Sequence, residues 1–199
     1  MKKLQREFYQ RNACPAAHDL IGKVLVHSSN EGVTSGIIIE TEAYCGPEDK
    51  AAHSYNGRRT SRTEIMYHDG GFAYVYLIYG MYCCFNVTAG LPGKPEAVLI
   101  RSLEPLEGED LMMRRRSTDK RVNLCSGPGK LCAAMDINLR HYGIDLCGDE
   151  LYIIDEGRKY DIAVSKRVNI DYAEECREYL WRYYAEGNIY VSKVKQNRP

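Results

Sequence analysis

Apolar positions along the chain recur at two different spacings, and the change of spacing separates strands from helices. Residues 24–26 and 33–43 are rich in β-branched residues, with Gly32 between them, which predicts two strands. The second run ends in alternation: Glu40, Glu42 and Tyr44 share one face, while Thr41 and Ala43 share the other. Residues 72–78 and 82–88 predict a hairpin through Tyr79, Gly80 and Met81, and 96–103 predicts a further strand. Short strands are expected around 151–154 and 162–164. Helical signals are sparser. Pro15 and Gly22 bracket a short helix, 107–116 suggests another, and 126–135 has Ser126 as candidate N-cap with Pro128 early. Between them, 45–71 reads as a polar loop carrying Arg58, Arg59 and Arg62, and 172–184 is mixed in pattern. Strands cluster first and helices fall irregularly, so an α+β fold is expected rather than a βαβ repeat.

No 30-residue stretch of the 199 residues is poor enough in apolar positions to serve as a linker, so one domain spanning 1–199 is expected. With 44% apolar and 27% charged residues, the composition excludes a disordered chain. Residues 70–93 carry no charge over 24 positions, long enough to span a bilayer. Five glycines and four tyrosines in that run suit a pair of strands instead, and no membrane association is expected. Eight cysteines raise the question of disulfides or zinc. A chain of this length needs no disulfide framework, and Leu4-Gln5-Arg6-Glu7 cuts short the apolar part of any leader, so reduced thiols in a cytoplasmic protein are expected. Zinc favours Cys-x2–4-Cys spacing, which neither Cys83-Cys84 nor Cys125 with Cys132 supplies.

The 27 basic and 27 acidic residues cancel, so no global positive field attracts a polyanion. Charge is nevertheless unevenly placed. Residues 50–68 hold four basic against one acidic residue and 110–130 hold six against two, while 31–49 hold five acids and no base. This is either ordinary solvated surface or a DNA-facing side that cancels only in the sum.

Glu40 and Glu42 would have Cα atoms roughly 6.5–7 Å apart at strand rise. They belong either to a half-exposed strand or to a central one, in which a buried carboxylate needs a partner. Arg101, ending the apolar run 97–100, is the candidate. Tyr74, Tyr76, Tyr79 and Tyr82 are concentrated in a chain with three Phe and one Trp. Buried phenols need hydrogen-bond partners, so the tyrosines suit half-wet stacking surfaces, or else an ordinary amphipathic hairpin. His53, taken alone, reads as a polar loop residue. The segment 126–130, SGPGK, is not a Walker A loop, because Leu124 stands where the first glycine belongs and Leu131 follows the lysine. A Gly-Pro-Gly helix start can still offer free amides to a phosphate.

Taken in order, ETEAYCGPEDKAAH at 40–53, YVYLIYGMY at 74–82 with Asn86, AVLIRSLEP at 97–105, LCSGPGKLC at 124–132 and GNIYVS at 187–192 resemble the alkyladenine (3-methyladenine) DNA glycosylase family. The similarity runs from about residue 5 to 193. It implies a single compact α+β domain: a mixed or antiparallel curved sheet, surrounding helices, and a protruding β-hairpin that enters the DNA minor groove. It implies hydrolytic removal of alkylated or deaminated purines, among them 3-methyladenine, 7-methylguanine, hypoxanthine and ethenoadenine. By the same resemblance Glu42 is the general base, with Arg101 and the Val168 carbonyl holding the water. Tyr44, His53 and Tyr76 would enclose the flipped base, Asn86 would crowd the exocyclic amine of guanine, and Tyr79 with Met81 would fill the gap in the stack. The partner would be damaged double-stranded DNA, with no metal or other cofactor, and the protein a prokaryotic cytoplasmic monomer. Two departures stand out: Met66-Tyr67-His68 replaces Met-Phe-Gly, and Asn169 replaces a common glycine after Val168. Two rival readings remain, a damaged-DNA binder without catalysis, and a metal-dependent hydrolase built on Glu40, Glu42 and His53.

Overall fold

In the computed structural model, which describes residues 2–193, the alternating segments become strands of one nine-stranded sheet. Met1 and residues 194–199 of the expected 1–199 domain lie outside the described residues. The elements run β1 (Lys2–Lys3), α1 (Arg6–Tyr9), α2 (Ala13–Leu20), β2 (Val24–Ser29), β3 (Gly32–Tyr44), β4 (Ala73–Ile78), β5 (Tyr82–Ala89) and β6 (Glu96–Glu107). Then come α3 (Glu109–Arg116), α4 (Pro128–Met135), β7 (Leu151–Asp155), β8 (Ile162–Ser165) and β9 (Arg182–Ala185). The strand order is β1-β7-β2-β3-β6-β5-β4, with β8 and β9 branching from β3. Every strand pair is antiparallel, so the architecture is α+β with an open antiparallel sheet. Among the described residues no helix is long and apolar enough to cross a membrane, and residues 70–93 supply the β4–β5 hairpin instead.

β3 organises the sheet. Its first half pairs with β2, residues 40–42 pair with β9 on the same side, and β6 runs along its other edge. The period of two then sorts the side chains between two environments. Ala43, Ala73, Val75, Phe85, Val87, Val98 and Ile100 join the main core with Ala17 and Leu20 of α2 and Leu131 and Met135 of α4. Thr41, on the same face as Ala43, is buried and donates to the Ala17 carbonyl at 2.8 Å, tying α2 to the strand. The alternate residues of β3 to β6 face a cavity on the other side.

Several local expectations shift. The helix expected from Pro15 is α2, which starts at Ala13, two residues ahead of that proline, and ends at Leu20, while α1 before it was not expected. Ser126 does not cap α4: the N-cap is Gly127 at φ 144°, without a side-chain cap, while Ser126 forms a β-bridge with Ser102. The loop 45–71 contains three single-turn 3-10 segments, and the mixed run near 172–184 resolves into a kinked 3-10 segment followed by β9. Gly70 lies where the chain crosses α1. Its N–H donates to the Gly90 carbonyl at 3.0 Å, and the Gly90 N–H donates to the Tyr9 carbonyl at 3.0 Å.

A Cβ on Gly70 would lie 2.2 Å from the Tyr9 carbonyl oxygen, whereas one on Gly80 at the hairpin tip would meet nothing within 4 Å. Gly70→Ala is therefore expected to lower the free energy of unfolding by more than about 2 kcal/mol. Gly80→Ala carries only the left-handed backbone penalty, about 1 kcal/mol. Urea denaturation of both variants checks this. Equal losses would contradict the close approach at Gly70.

Candidate active site

The row Glu42–Leu99–Asn86–Tyr74 runs straight across β3, β6, β5 and β4 in register, with Tyr44 opposite Ala97 and Tyr76 opposite Cys84. These alternate positions, apart from Glu42, form one wall of a cavity of about 750 Å³. The loop around His53, the start of α4 and residues 168–172 complete it. The volume suits a ligand of nucleobase to nucleotide size.

Glu40 and Glu42 are both fully buried, which excludes the half-exposed reading, but they are held in different ways. A carboxylate offers about four acceptor sites. Glu40 meets five donors: Arg101 Nε at 2.8 Å, Arg182 Nε at 2.7 Å, Ser102 Oγ at 2.9 Å, and the Ser192 N–H and Oγ, each at 2.8 Å. Burial alone would raise its pKa, yet Arg101, Arg182 and Ser192 together draw it below the ordinary value. Glu42 meets three donors. Its Oε1 accepts from the Val168 N–H at 2.7 Å and lies 3.3 Å from Arg101 Nη1, and its Oε2 accepts from the Tyr44 hydroxyl at 3.0 Å. Glu42 sits directly behind Tyr44, Arg101 and Val168, all three of which line the cavity. The register of β3 and β6 shifts on both sides of Glu40, passing over Arg101, so its guanidinium serves both carboxylates.

Val168 enters through its N–H, an atom other than the carbonyl expected from the resemblance. Asn169 has φ 59°, the left-handed region that glycine and asparagine tolerate best, so this departure preserves the backbone turn. The preceding Arg167 is buried and forks onto buried Asp49 at 2.5 and 2.8 Å, while its guanidinium stacks 4.8 Å from the Tyr44 ring. This pair fixes both Tyr44 and the turn carrying Val168. Burial, and then the charge of Glu42, raises the Tyr44 pKa well above normal, keeping its hydroxyl a donor.

His53 Nδ1 lies 2.8 Å from the Tyr74 hydroxyl, and its ring stands edge-on to Tyr76 at 4.7 Å. Arg62 reaches His53 Nε2 at 3.1 Å and covers the Tyr76 ring at 4.6 Å. Burial, with Arg62 and Arg58 nearby, pushes the His53 pKa down to about 4, so the imidazole is neutral at neutral pH. Asn86 Nδ2 donates to the Tyr74 carbonyl at 3.1 Å, which orients it in the wall. Glu40 and Glu42 face guanidinium groups while His53 faces Tyr74 and Arg62, so these three do not form a metal-ligand set.

Beside the cavity the hairpin tip projects, with Tyr79 78% and Met81 70% exposed. The Met81 N–H donates to the Ile78 carbonyl at 3.2 Å, and both central residues of the turn have positive φ, 53° for Tyr79 and 68° for Gly80. A bulky residue there is strained by roughly 1–2 kcal/mol, which fits a side chain placed for use rather than for folding. Of the basic residues in the charged segments, Arg62, Arg116 and Lys130 line the cavity, whereas Arg59, Arg115 and Arg121 are paired with Glu64, Glu31 and Glu109. Sequence reading missed Arg182, Ser192, Asp49 and Arg167. The only signals were an arginine amid aromatic residues at 181–184 and one next to Val168.

The family model described as Methylpurine-DNA glycosylase (MPG) matches residues 7–189. The chain is 49% identical to a Clostridium novyi protein over 201 residues, covering 97% of this chain and 100% of that one. It is 51% identical to one from Clostridium acetobutylicum over 205 residues, covering 98% and 100%, and 50% identical to one from Bacillus cereus over 198 residues, covering 94% and 97%. All three carry the name "Putative 3-methyladenine DNA glycosylase".

Glu40→Gln leaves two buried guanidiniums facing a neutral amide, and an expected loss of about 3–5 kcal/mol of stability follows. Because its folded pKa is lowered, Glu40 stabilises fully above the unfolded carboxyl value of about 4.3 and loses that effect as pH falls towards the folded value. Denaturation at pH 7 and below pH 4 checks both parts. The variant should differ strongly from the native chain at the first and less at the second. A pH-independent difference would contradict the ion cluster.

Proposed function

The chain belongs to the methylpurine-DNA glycosylase family, and on that premise we propose that it draws a damaged purine out of duplex DNA into the cavity and hydrolyses its N-glycosyl bond with water activated by Glu42. The observation that carries this reading is the contrast between the two carboxylates. Glu40 is saturated by five donors, while Glu42, with three, keeps acceptor capacity on Oε2 beside the cavity-lining Tyr44. Glu40 is structural and Glu42 takes the proton.

Cleavage passes through an oxocarbenium-like state, which a nearby carboxylate stabilises while it activates water. Arg101 and the Val168 N–H hold Oε1, and the Val168 carbonyl is assigned the water. Tyr44, Tyr76 and His53 enclose the extruded base. A methylated purine carries positive charge, which is attracted to aromatic faces and would be repelled by a protonated imidazole. Neutral His53 suits it. Arg62, now covering Tyr76, swings aside as the base enters. Asn86 crowds an exocyclic amine and so disfavours guanine. Hypoxanthine, a neutral base without that amine, is also accepted, although its departure gains more from protonation.

A base inside the stack is out of reach, and unstacking it costs a few kcal/mol. Tyr79, with Met81 beside it, fills the gap and recovers roughly 1–3 kcal/mol by stacking. The first turn of α4, together with Lys130 and Arg116, receives backbone phosphates. Eight cysteines without a disulfide suit the cytoplasm.

The test uses duplexes holding a single hypoxanthine or 7-methylguanine, with free base scored under single-turnover conditions. The native chain is expected to release base and leave an abasic site. Glu42→Gln should bind the same duplex within a few-fold while excision falls by about 10²-fold or more. Binding without release by the native chain would favour a non-catalytic damage binder, and near-normal turnover by the variant would remove Glu42 from its role.

A further inference from the structure

Two buried histidines outside the cavity face each other without any role in the reaction. His27 lies on β2, and His141 closes the 3-10 turn Leu139–His141 that follows α4. His27 pairs with Thr34, eight residues along β3 from Glu42, which at strand rise is roughly 26 Å away. Their rings meet edge-to-face with centroids 4.8 Å apart and Nε2 atoms 3.3 Å apart. Glu150, just ahead of β7, brings Oε1 to 3.7 Å from His141 Nε2, and one ligand atom from each of the three residues lies within 4.8 Å of the others. The Ser28 N–H donates to the Glu150 carbonyl at 2.8 Å and fixes that residue beside β2.

The other ring nitrogens are held by backbone carbonyls. His27 Nδ1 lies 2.6 Å from the Met135 carbonyl oxygen and His141 Nδ1 lies 3.2 Å from that of Asn138. For His27 this contact places the proton on Nδ1 and leaves Nε2 to bind a metal, and His141 can take the same tautomer through the Asn138 carbonyl. With both Nδ1 atoms donating, two Nε2 lone pairs converge, an arrangement that a cation stabilises. Two nitrogens bound tetrahedrally to zinc at about 2.0–2.1 Å stand about 3.3 Å apart, which is the separation here. The Asn138 N–H also lies 3.1 Å from His141 Nδ1, so a metal-free tautomer, with His141 Nε2–H donating to His27, is available as well. Metal uptake requires that this proton move to Nδ1 and that Nδ1 exchange the Asn138 N–H for the Asn138 carbonyl as its partner.

We infer that His27, His141 and Glu150 form a binding site for one divalent transition-metal ion of the zinc type, with water in the fourth position. Two imidazole ligands disfavour magnesium and calcium, which take oxygen. The ion would clamp β2, the turn after α4 and the start of β7, a structural role remote from Glu42.

The test is titration of the metal-free full chain with Zn2+, and with Co2+ as a coloured substitute. One equivalent should bind, with tetrahedral cobalt absorption and no thiolate charge-transfer band. At hundredfold excess over Kd, Zn2+ should raise Tm by roughly 5–10 °C. Glu150→Gln, altering a side chain 56% exposed, should leave the metal-free Tm unchanged and weaken binding at least tenfold. His141→Gln should abolish binding, and if that variant does not fold, Glu150→Gln decides alone. Absence of stoichiometric uptake would overturn the site. So would uptake indifferent to Glu150→Gln or bearing the thiolate band, which would place the metal on cysteines.

Discussion

The guanidinium of Arg101 holds two buried carboxylates in one place, with Nε 2.8 Å from Glu40 and Nη1 3.3 Å from Glu42. Taking such charges out of water costs several kcal/mol per ion unless good hydrogen bonds replace hydration. The fold supplies them by converging on one point. β6 contributes Arg101 and Ser102, β9 contributes Arg182, and the segment beyond it contributes Ser192. The Glu40 cluster therefore ties β3 to a segment 152 residues further along the chain, and Glu42, two residues along, inherits a fixed position from it.

The sheet converts that anchor into a site. Because successive side chains alternate, one face of β3 to β6 can be an apolar core against α2 and α4 while the other is a polar, aromatic-lined cavity. The same alternation puts Tyr74 and Tyr76 inside, and the hairpin then carries Tyr79 out into solvent on a turn that a tyrosine does not favour. Rigidity at Glu40 and strain at Tyr79 are complementary. The first fixes Glu42 and its donors in the wall behind the cavity, and the second holds an aromatic side chain out in solvent beside it.

Much of this was legible in the chain. Strand positions followed from alternation, and the oddity of an arginine ending the apolar run 97–100 correctly anticipated a buried carboxylate partner. The family resemblance is upheld by similarity over nearly the whole chain. What was not legible came from distant segments. Arg182 and Ser192 lie 142 and 152 residues from Glu40 in sequence, and no local pattern announces either. The Asp49–Arg167 pair spans 118 residues and hides in a stretch read as polar loop. Ser126 has the chemistry of a helix cap, yet pairing with Ser102 takes its backbone elsewhere. Local propensity yields to tertiary pairing at such positions. In local pattern Glu40 and Glu42 are alike, and only the family resemblance singled out Glu42, because most of the donors that distinguish them come from remote segments.

In the proposed reaction Arg101 acts through the orientation of Glu42, which it approaches to 3.3 Å. A double-mutant cycle of Arg101→Met and Glu42→Gln, read as single-turnover excision from a hypoxanthine duplex, tests it most directly. If the two residues act as one unit, the double variant should be slower than Glu42→Gln alone by no more than about threefold. Fully additive losses would show that Arg101 acts on the substrate independently, and would contradict the claim.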